Sequence, residues 1–293
     1  MFQMIGEVLT LTRWEWFKLR RRRVPWILLA VSVLLLQIAY WVAYAVSRIG
    51  EDVTFGAGGR VSVGGDFHEV LAFPNSAGIG LAFSHGFSAI LIMILAVSLT
   101  GSEYGWGTVR TVLARGAGRW QLLASKLILV SILGAAALIA GTLALAISSL
   151  VASLTVESSD WIAASARWGE FARIFGKTVY GLLPYVVLAV FFAVVTTSSG
   201  AAIGLGLGYV LAENIVVGIL SSFEWFERAS GFILGQAVEV WLESADQMSL
   251  DAVSAGQPDA LQGFLVSLAY IVVLSGLAFW IFQRRDIAGA KGE

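Results

Sequence analysis

The 293-residue chain contains no cysteine, which excludes disulfides and thiolate metal sites. Charge is scarce. Only 13% of residues are Asp, Glu, Lys or Arg, against 58% hydrophobic, where a soluble domain carries roughly a quarter charged. Two histidines are present, His68 and His85, and they are not at metal-ligand spacing. His85 falls near the end of an apolar run, where a packed or interfacial role is expected. Walker A, dinucleotide-binding glycine, HExxH and nucleophile-elbow patterns are all missing. The chain is therefore expected to be non-catalytic, with no metal, cofactor or nucleic acid of its own.

What is abundant is apolar length. Mean hydropathy is +0.81, and apolar runs of 18 or more residues recur. A bilayer core of ~30 Å needs about 20 helical residues. An outer-membrane barrel would show alternating segments of about ten residues, and these runs are continuous. The expected fold class is an all-α polytopic membrane protein with six transmembrane helices and an N-terminal interfacial helix. The first apolar run starts near Pro25 and is too long for a signal-peptide core, so no cleavable leader is expected.

Residues 1–24 read as an amphipathic helix in the membrane surface. Ile5, Val8, Leu9, Thr12, Trp16 and Leu19 share one face, and Gln3, Glu7, Thr10, Arg13 and Lys18 lie largely on the other. The helix ends in Arg20, Arg21, Arg22 and Arg23, a block that marks the cytoplasmic side and favours anionic lipid headgroups.

The transmembrane domain, 25–283, has spans expected at about 25–47, 77–100, 122–152, 178–197, 201–221 and 263–282. Gln37 is the one strongly polar residue inside span one. Between spans three and four, Trp161, Trp168, Phe171 and Phe175 oppose Arg167, Glu170, Arg173 and Lys177, which predicts a helix on the outer surface over 153–177. Pro184 sits near the start of span four. Gly200, Gly204 and Gly208 recur every fourth residue in span five, a stripe suited to close helix packing. The segment 223–262 is acidic and aromatic, and predicts short outer helices that dip into the leaflet. A short tail, 284–293, follows span six.

Charge orients the chain. With the N-terminus inside, the inner segments hold Arg13, Lys18, Arg20 to Arg23, Arg110, Arg115, Arg119, Lys126, Arg284, Arg285 and Lys291. That is 13 of the 19 basic residues. The positive-inside rule then predicts cytoplasmic termini in a bacterial plasma membrane.

Two polar features stand out. Glu213 and Asn214 lie inside span five, and an intramembrane carboxylate is a candidate site for substrate, protons or a basic partner. The alternative is a hydrogen bond to Asn214 or a serine that holds the span in place. The second feature is Gly101–Lys126, a basic, glycine-punctuated stretch between two apolar runs. Gly105 and Gly107 suit turns, Thr108 suits a helix cap, and Val109, Val112 and Leu113 suit an apolar contact face.

Glu103, Gly107-Thr108-Val109-Arg110, Leu113, Arg119, Leu122-Leu123 and Lys126 together resemble the cytoplasmic signature of ABC type-2 exporter permeases. Gly116-Ala117-Gly118 stands where that family often has a proline. The order of elements along the whole chain is also similar, down to Phe282-Gln283-Arg284-Arg285-Asp286. The resemblance implies a permease paired with a second copy or homologue and docked on separate nucleotide-binding ATPase subunits, which would hold ATP and Mg. Residues 101–121 would be the coupling segment, with Glu103, Gly107, Thr108, Arg110, Leu113, Arg119 and Lys126 as coupling residues. Arg110, Leu113 and Arg119 are expected on one short helix parallel to the membrane. The family exports drugs, peptides, lipids, glycans and ions. Alternatives are a gradient-driven transporter using Glu213, an intramembrane enzyme, or a non-transporting immunity or sensor subunit.

Overall fold

The computed structural model describes residues 2–49, 53–55, 59–61, 73–155, 168–221, 223, 226, 229–243 and 260–285. The helices among them are α1 (Phe2–Leu19), α2 (Arg23–Ile49), α3 (Asn75–Gly105), α4 (Thr108–Ala114), α5 (Arg119–Thr155), α6 (Trp168–Thr196), α7 (Ser199–Leu220), α8 (Leu234–Glu243) and α9 (Ala260–Arg284). Val53–Phe55 (β1) and Gly59–Val61 (β2) pair as an antiparallel hairpin, with Thr54 opposite Arg60. Six helices, namely α2, α3, α5, α6, α7 and α9, are long and apolar enough to cross a bilayer. The architecture is that of a polytopic helical membrane protein.

The bundle is organised around α3 and α6. Within their most apolar windows 61% and 67% of residues are buried, against 6% in α7 and 11% in α9. The contact is built from small side chains. Ala96, Ala189, Val190, Ala193 and Val194 are buried, and short side chains let helix backbones come close without a hydrophobic drive from water. The outer helices α2, α7 and α9 present Leu, Ile and Val outward, among them Leu34, Leu211, Ile219 and Val272.

Gln37 is accounted for by a partner: it accepts a hydrogen bond from Ser148 on α5. Around that bond Leu36, Tyr40, Leu145 and Ala152 form a second small core. An amide inside a bilayer needs such a partner because no water is there to supply one.

Several expectations change. The amphipathic stretch before span four is not a separate surface helix from Trp168 onward, because residues 168–177 run continuously into α6 and through Pro184. Residues 156–167, including Trp161, lie outside the described residues. Span three starts at Arg119 rather than near residue 122 and runs to Thr155. On α1 the buried face is Val8, Glu15 and Leu19, while Leu9 and Trp16 are exposed. The face turned inward therefore carries a carboxylate, and much of the apolar surface is turned out. The side chain of His85 lies outside the described residues.

The segment after span five folds back into the bundle. Tyr270 of α9 donates to the Phe232 carbonyl at 3.2 Å, and Gly263 of α9 lies against Ala237 and Trp241 of α8. Rising residue numbers on α9 meet falling numbers on α8, so the two run antiparallel. Phe232, just before α8, therefore meets α9 roughly 10 Å further along that helix than Ala237 and Trp241 do, at 1.5 Å per residue.

Gly263 is required by this packing, since a Cβ there would lie 2.5 Å from the Ala237 carbonyl oxygen and 3.1 Å from the Trp241 nitrogen. Gly204 faces open space. Gly263→Ala is expected to destabilise the purified protein by about 1–3 kcal/mol through overpacking. Gly204→Ala is expected to stabilise it by roughly 0.5–1 kcal/mol through helix propensity. Thermal unfolding of the two variants in the same detergent separates these effects.

Candidate functional site

At the α1 end of the bundle four charged side chains close a ring. Glu15 and Lys18 come from α1, Glu103 from the last turn of α3, and Lys126 from the second turn of α5. The Lys18 ammonium lies 2.6 Å from Glu15 Oε1 and 2.7 Å from Glu103 Oε1. Lys126 lies 2.8 Å from Glu103 Oε2 and 3.5 Å from Glu15 Oε2. Glu15, Glu103 and Lys126 are buried, at 4%, 2% and 2% exposed. Burial works to lower the pKa of Lys18, but its hydrogen bonds and proximity to Glu103 and Glu15 outweigh that and hold it above the ordinary lysine value.

The ring is neutral, and each charge has two opposite neighbours. It is suited to fixing three helices in one register. Beside it a cavity of about 10 Å³ is lined by Thr100, Tyr104, Lys126 and Phe282 among others. That is room for one water and far below the ~300 Å³ of a small-molecule site. Among the described residues no group of three or more His, Cys, Asp or Glu is placed to hold a metal.

Two of the expected coupling residues, Glu103 and Lys126, are thus inside the protein and not on its surface. Arg119 is also occupied. It opens α5 and is not on the short helix, and its guanidinium donates to the carbonyls of Gln283 at 2.7 Å and Arg285 at 2.9 Å. It caps the end of α9, as a cation at a helix C-terminus does. Arg285 in turn donates to Val194 and Val195 at the end of α6.

What remains outward is α4 and its turns. Gly107 takes φ +65° and precedes the helix, and Gly116 takes φ +90° after it. Both values lie in the left-handed region that glycine enters without steric cost. The glycine run in place of proline thus supplies the turn, and Gly105 is the last residue of α3. Thr108 does not cap α4: it is the first helical residue, and its hydroxyl donates to the Glu103 carbonyl at 3.4 Å. Val109 is buried, and Val112 and Leu113 pack against the core. The apolar face of α4 therefore points into the bundle, and its exposed face carries Arg110, Thr111, Ala114 and Arg115. Trp106, in the preceding turn, is 65% exposed. Arg22 stacks over Trp106 at 4.6 Å and donates to Ser102 Oγ at 2.9 Å, which ties the α1–α2 elbow to this turn.

Glu213 lies well inside α7 and does a different job. Its carboxylate accepts from the backbone N–H of Gly235, with the Gln236 N–H and the Tyr209 hydroxyl beside it. These N–H groups belong to the first turn of α8, whose donors have no partner within the helix. The partner is thus neither Asn214 nor a serine. Asn214 is exposed and donates to Val210 of its own helix at 2.7 Å. Gly235 leaves room for the carboxylate, since a Cβ there would lie 2.5 Å from Glu213 Oε1 and the side chain would have to shift. The far end of α8 meets a cation: Lys177 donates to the Trp241 carbonyl at 3.2 Å and lies over the Trp241 ring at 4.5 Å. A ten-residue helix is held at both ends by charges that complement its dipole.

A Cβ at Gly200, Gly204 or Gly208 would meet nothing within 4 Å among the described residues. Close approach on α7 is made by Ala202 and Gly206, which are buried, and a Cβ on Gly206 would meet Met93 at 2.6 Å.

Composition gave no sign of Glu15. A carboxylate in an amphipathic surface helix reads as solvated, and only its position on the Val8–Leu19 stripe hints at burial. Lys126→Met is expected to cost about 3–5 kcal/mol, since it leaves buried carboxylates uncompensated. The double variant Glu103→Leu/Lys126→Met is expected to cost less than the sum of its singles, measured as a double-mutant cycle of thermal stability. Within α7, Glu213→Ala is expected to destabilise by about 1–3 kcal/mol by orphaning an α8 donor. Glu213→Gln keeps an acceptor and is expected to retain most of that stability in the same assay.

With this geometry in hand, comparison with known proteins gives two matches. Uncharacterized protein YhcI of Bacillus subtilis (strain 168) is 22% identical over an alignment of 213 residues that covers 69% of this chain and 65% of that protein. The match thus spans slightly less than two thirds of the relative's own length. The family described as "Protein of unknown function (DUF2705)" matches residues 81–288, from α3 to just beyond α9. It takes in Glu103 and Lys126 and leaves out α1, which supplies the other half of the ring. The extent of that match places this chain in the DUF2705 family.

Proposed function

We propose that this chain is the membrane-spanning permease subunit of an ATP-binding-cassette exporter, moved by separate ATPase subunits. The observation that carries this reading is α4. It is a seven-residue helix between two membrane-crossing helices, with its apolar side packed inward and Arg110 and Arg115 outward. Positive φ at Gly107 and Gly116 sets it off from α3 and α5. Force applied to α4 has a short route into the bundle. Its first turn bonds to Glu103, and Glu103 is held by Lys18 of α1 and Lys126 of α5.

The docking surface in this reading is polar and basic: Trp106, Arg110, Thr111 and Arg115, facing acidic groups on the ATPase. Glu103, Lys126 and Arg119 transmit through internal contacts and do not touch the partner. The α4 side is cytoplasmic, both termini are on that side, and the membrane is the plasma membrane of a bacterium. A second permease copy or homologue completes the path, and the open face of α7 with Gly200, Gly204 and Gly208 supports that arrangement. ATP and Mg are bound by the partner. The cargo belongs to the classes that such exporters carry: drug, peptide, lipid or ion. A gradient-driven mechanism through Glu213 is less well supported, because that carboxylate is engaged by α8.

Gentle extraction of the tagged chain from its native membrane is expected to bring a nucleotide-binding subunit with it. Its persistent absence would sink this reading. Arg110→Glu/Arg115→Glu is expected to abolish co-elution and the ATPase activity in the eluate while leaving the thermal transition of the permease within about 0.5 kcal/mol, as for other surface changes.

A further inference from the structure

The four arginines between α1 and α2 do not share one environment. Arg22 is consumed by Trp106 and Ser102. Arg20 and Arg21 both lie over the ring of Phe17, at 5.7 and 4.4 Å, and Arg23 is exposed beside them. Two guanidinium groups on one ring repel each other unless an anion sits between them. Among the described residues no carboxylate forms an ion pair with Arg20, Arg21 or Arg23; the pairs there all belong to the ring of Glu15, Lys18, Glu103 and Lys126. Glu7, the other described acid of α1, accepts from Gln121 at 3.1 Å. Glu15 and Glu103 are turned inward, and among the described residues the elbow has no counter-charge.

The surroundings say what kind of anion fits. Trp16 and Phe17 are each 41% exposed, and Trp26, on the first turn of α2, is 54% exposed. The Trp26 indole N–H donates to the Arg20 carbonyl at 3.0 Å, which fixes the bend between α1 and α2. Exposed indoles next to cations at the mouth of a membrane helix mark the boundary between headgroups and acyl chains. A soluble anion has no use for that apolar collar, whereas a lipid fills both halves of the site. We infer that the α1–α2 elbow is a binding site for an anionic phospholipid, its phosphodiester held by Arg20, Arg21 and Arg23 and its upper acyl chains lying against Trp16 and Trp26.

The guanidinium fork matches phosphate oxygens two at a time, so the site discriminates by headgroup charge. Arg22 then links it to the turn before α4. Lipid occupancy and the position of that turn are joined through one side chain.

The test is native mass spectrometry of the full chain, released from mixed micelles holding phosphatidylglycerol and phosphatidylcholine of equal chain length. Phosphatidylglycerol is expected to be retained in preference by about tenfold or more, since each basic residue near a membrane surface contributes roughly fivefold. Arg20→Gln/Arg21→Gln/Arg23→Gln is expected to remove the preference. The charge-matched control Arg110→Gln/Arg115→Gln/Arg284→Gln is expected to keep it. Phe17→Ala, which leaves every charge in place and so preserves insertion, is expected to lower the preference at least threefold. Equal retention of the two lipids by the unaltered chain would overturn the proposal. So would an equal loss in the control triple, or an unchanged preference in Phe17→Ala. Displacement of phosphatidylglycerol by millimolar inorganic phosphate would assign the site to a soluble anion and overturn it as well.

Discussion

Two glutamates and two lysines, three of them buried, meet where α1, α3 and α5 converge and set the geometry of one end of this protein. A charge removed from water is costly unless opposite charges surround it, so none of the four can leave without stranding the others. Lys18 alone keeps partial access to solvent, at 39% side-chain exposure. That constraint holds α1, an amphipathic helix with aromatic residues on its outer surface, against the bundle in one position. It also fixes the end of α3, from which the α4 turn departs. The exposed basic face of α4 and the arginine elbow are both placed by it.

The same physics recurs at the helix ends. A helix leaves four donors and four acceptors without partners at its termini, and in a bilayer water cannot supply them. Here charged side chains do. Arg119 serves the end of α9, Arg285 the end of α6, Glu213 the start of α8 and Lys177 its end. Four of the charged residues that stand out in an oily sequence are therefore spent on closing helices. Among the described residues, Arg20, Arg21, Arg23, Arg110 and Arg115 are exposed and form no ion pair, so they can meet something outside the chain.

This changes how Gly101–Lys126 is understood. As a pattern it is a set of charges available for docking. In the folded protein it is two layers. Glu103, Arg119 and Lys126 belong to an inner layer that ties helices together, and Arg110 and Arg115 form an outer layer. Thr108 and Leu113 connect them, one through a hydrogen bond to Glu103 and the other by packing on the core. Glu213 follows the same logic. An intramembrane carboxylate suggests cargo or protons, and here it is the counter-charge of a helix that starts inside the bundle.

Helix-forming apolar runs are local. Their length, spacing and flanking arginines are enough to read a polytopic helical protein with an amphipathic first helix, and to place a polar turn with glycines at its ends. Pairing is not local. Lys18 and Glu103 are 85 residues apart and Lys126 and Glu15 are 111, so no periodicity links them. The continuity of residues 168–177 with α6 depends on what they pack against, as does the inward turn of the face bearing Glu15. The return of α8 into the bundle is decided the same way, by Gly263 and Glu213. Hydropathy along the chain decides which segments enter a membrane; which buried charge finds which partner is decided only when the helices pack, because in a low-dielectric interior an unpaired charge is the least tolerable outcome.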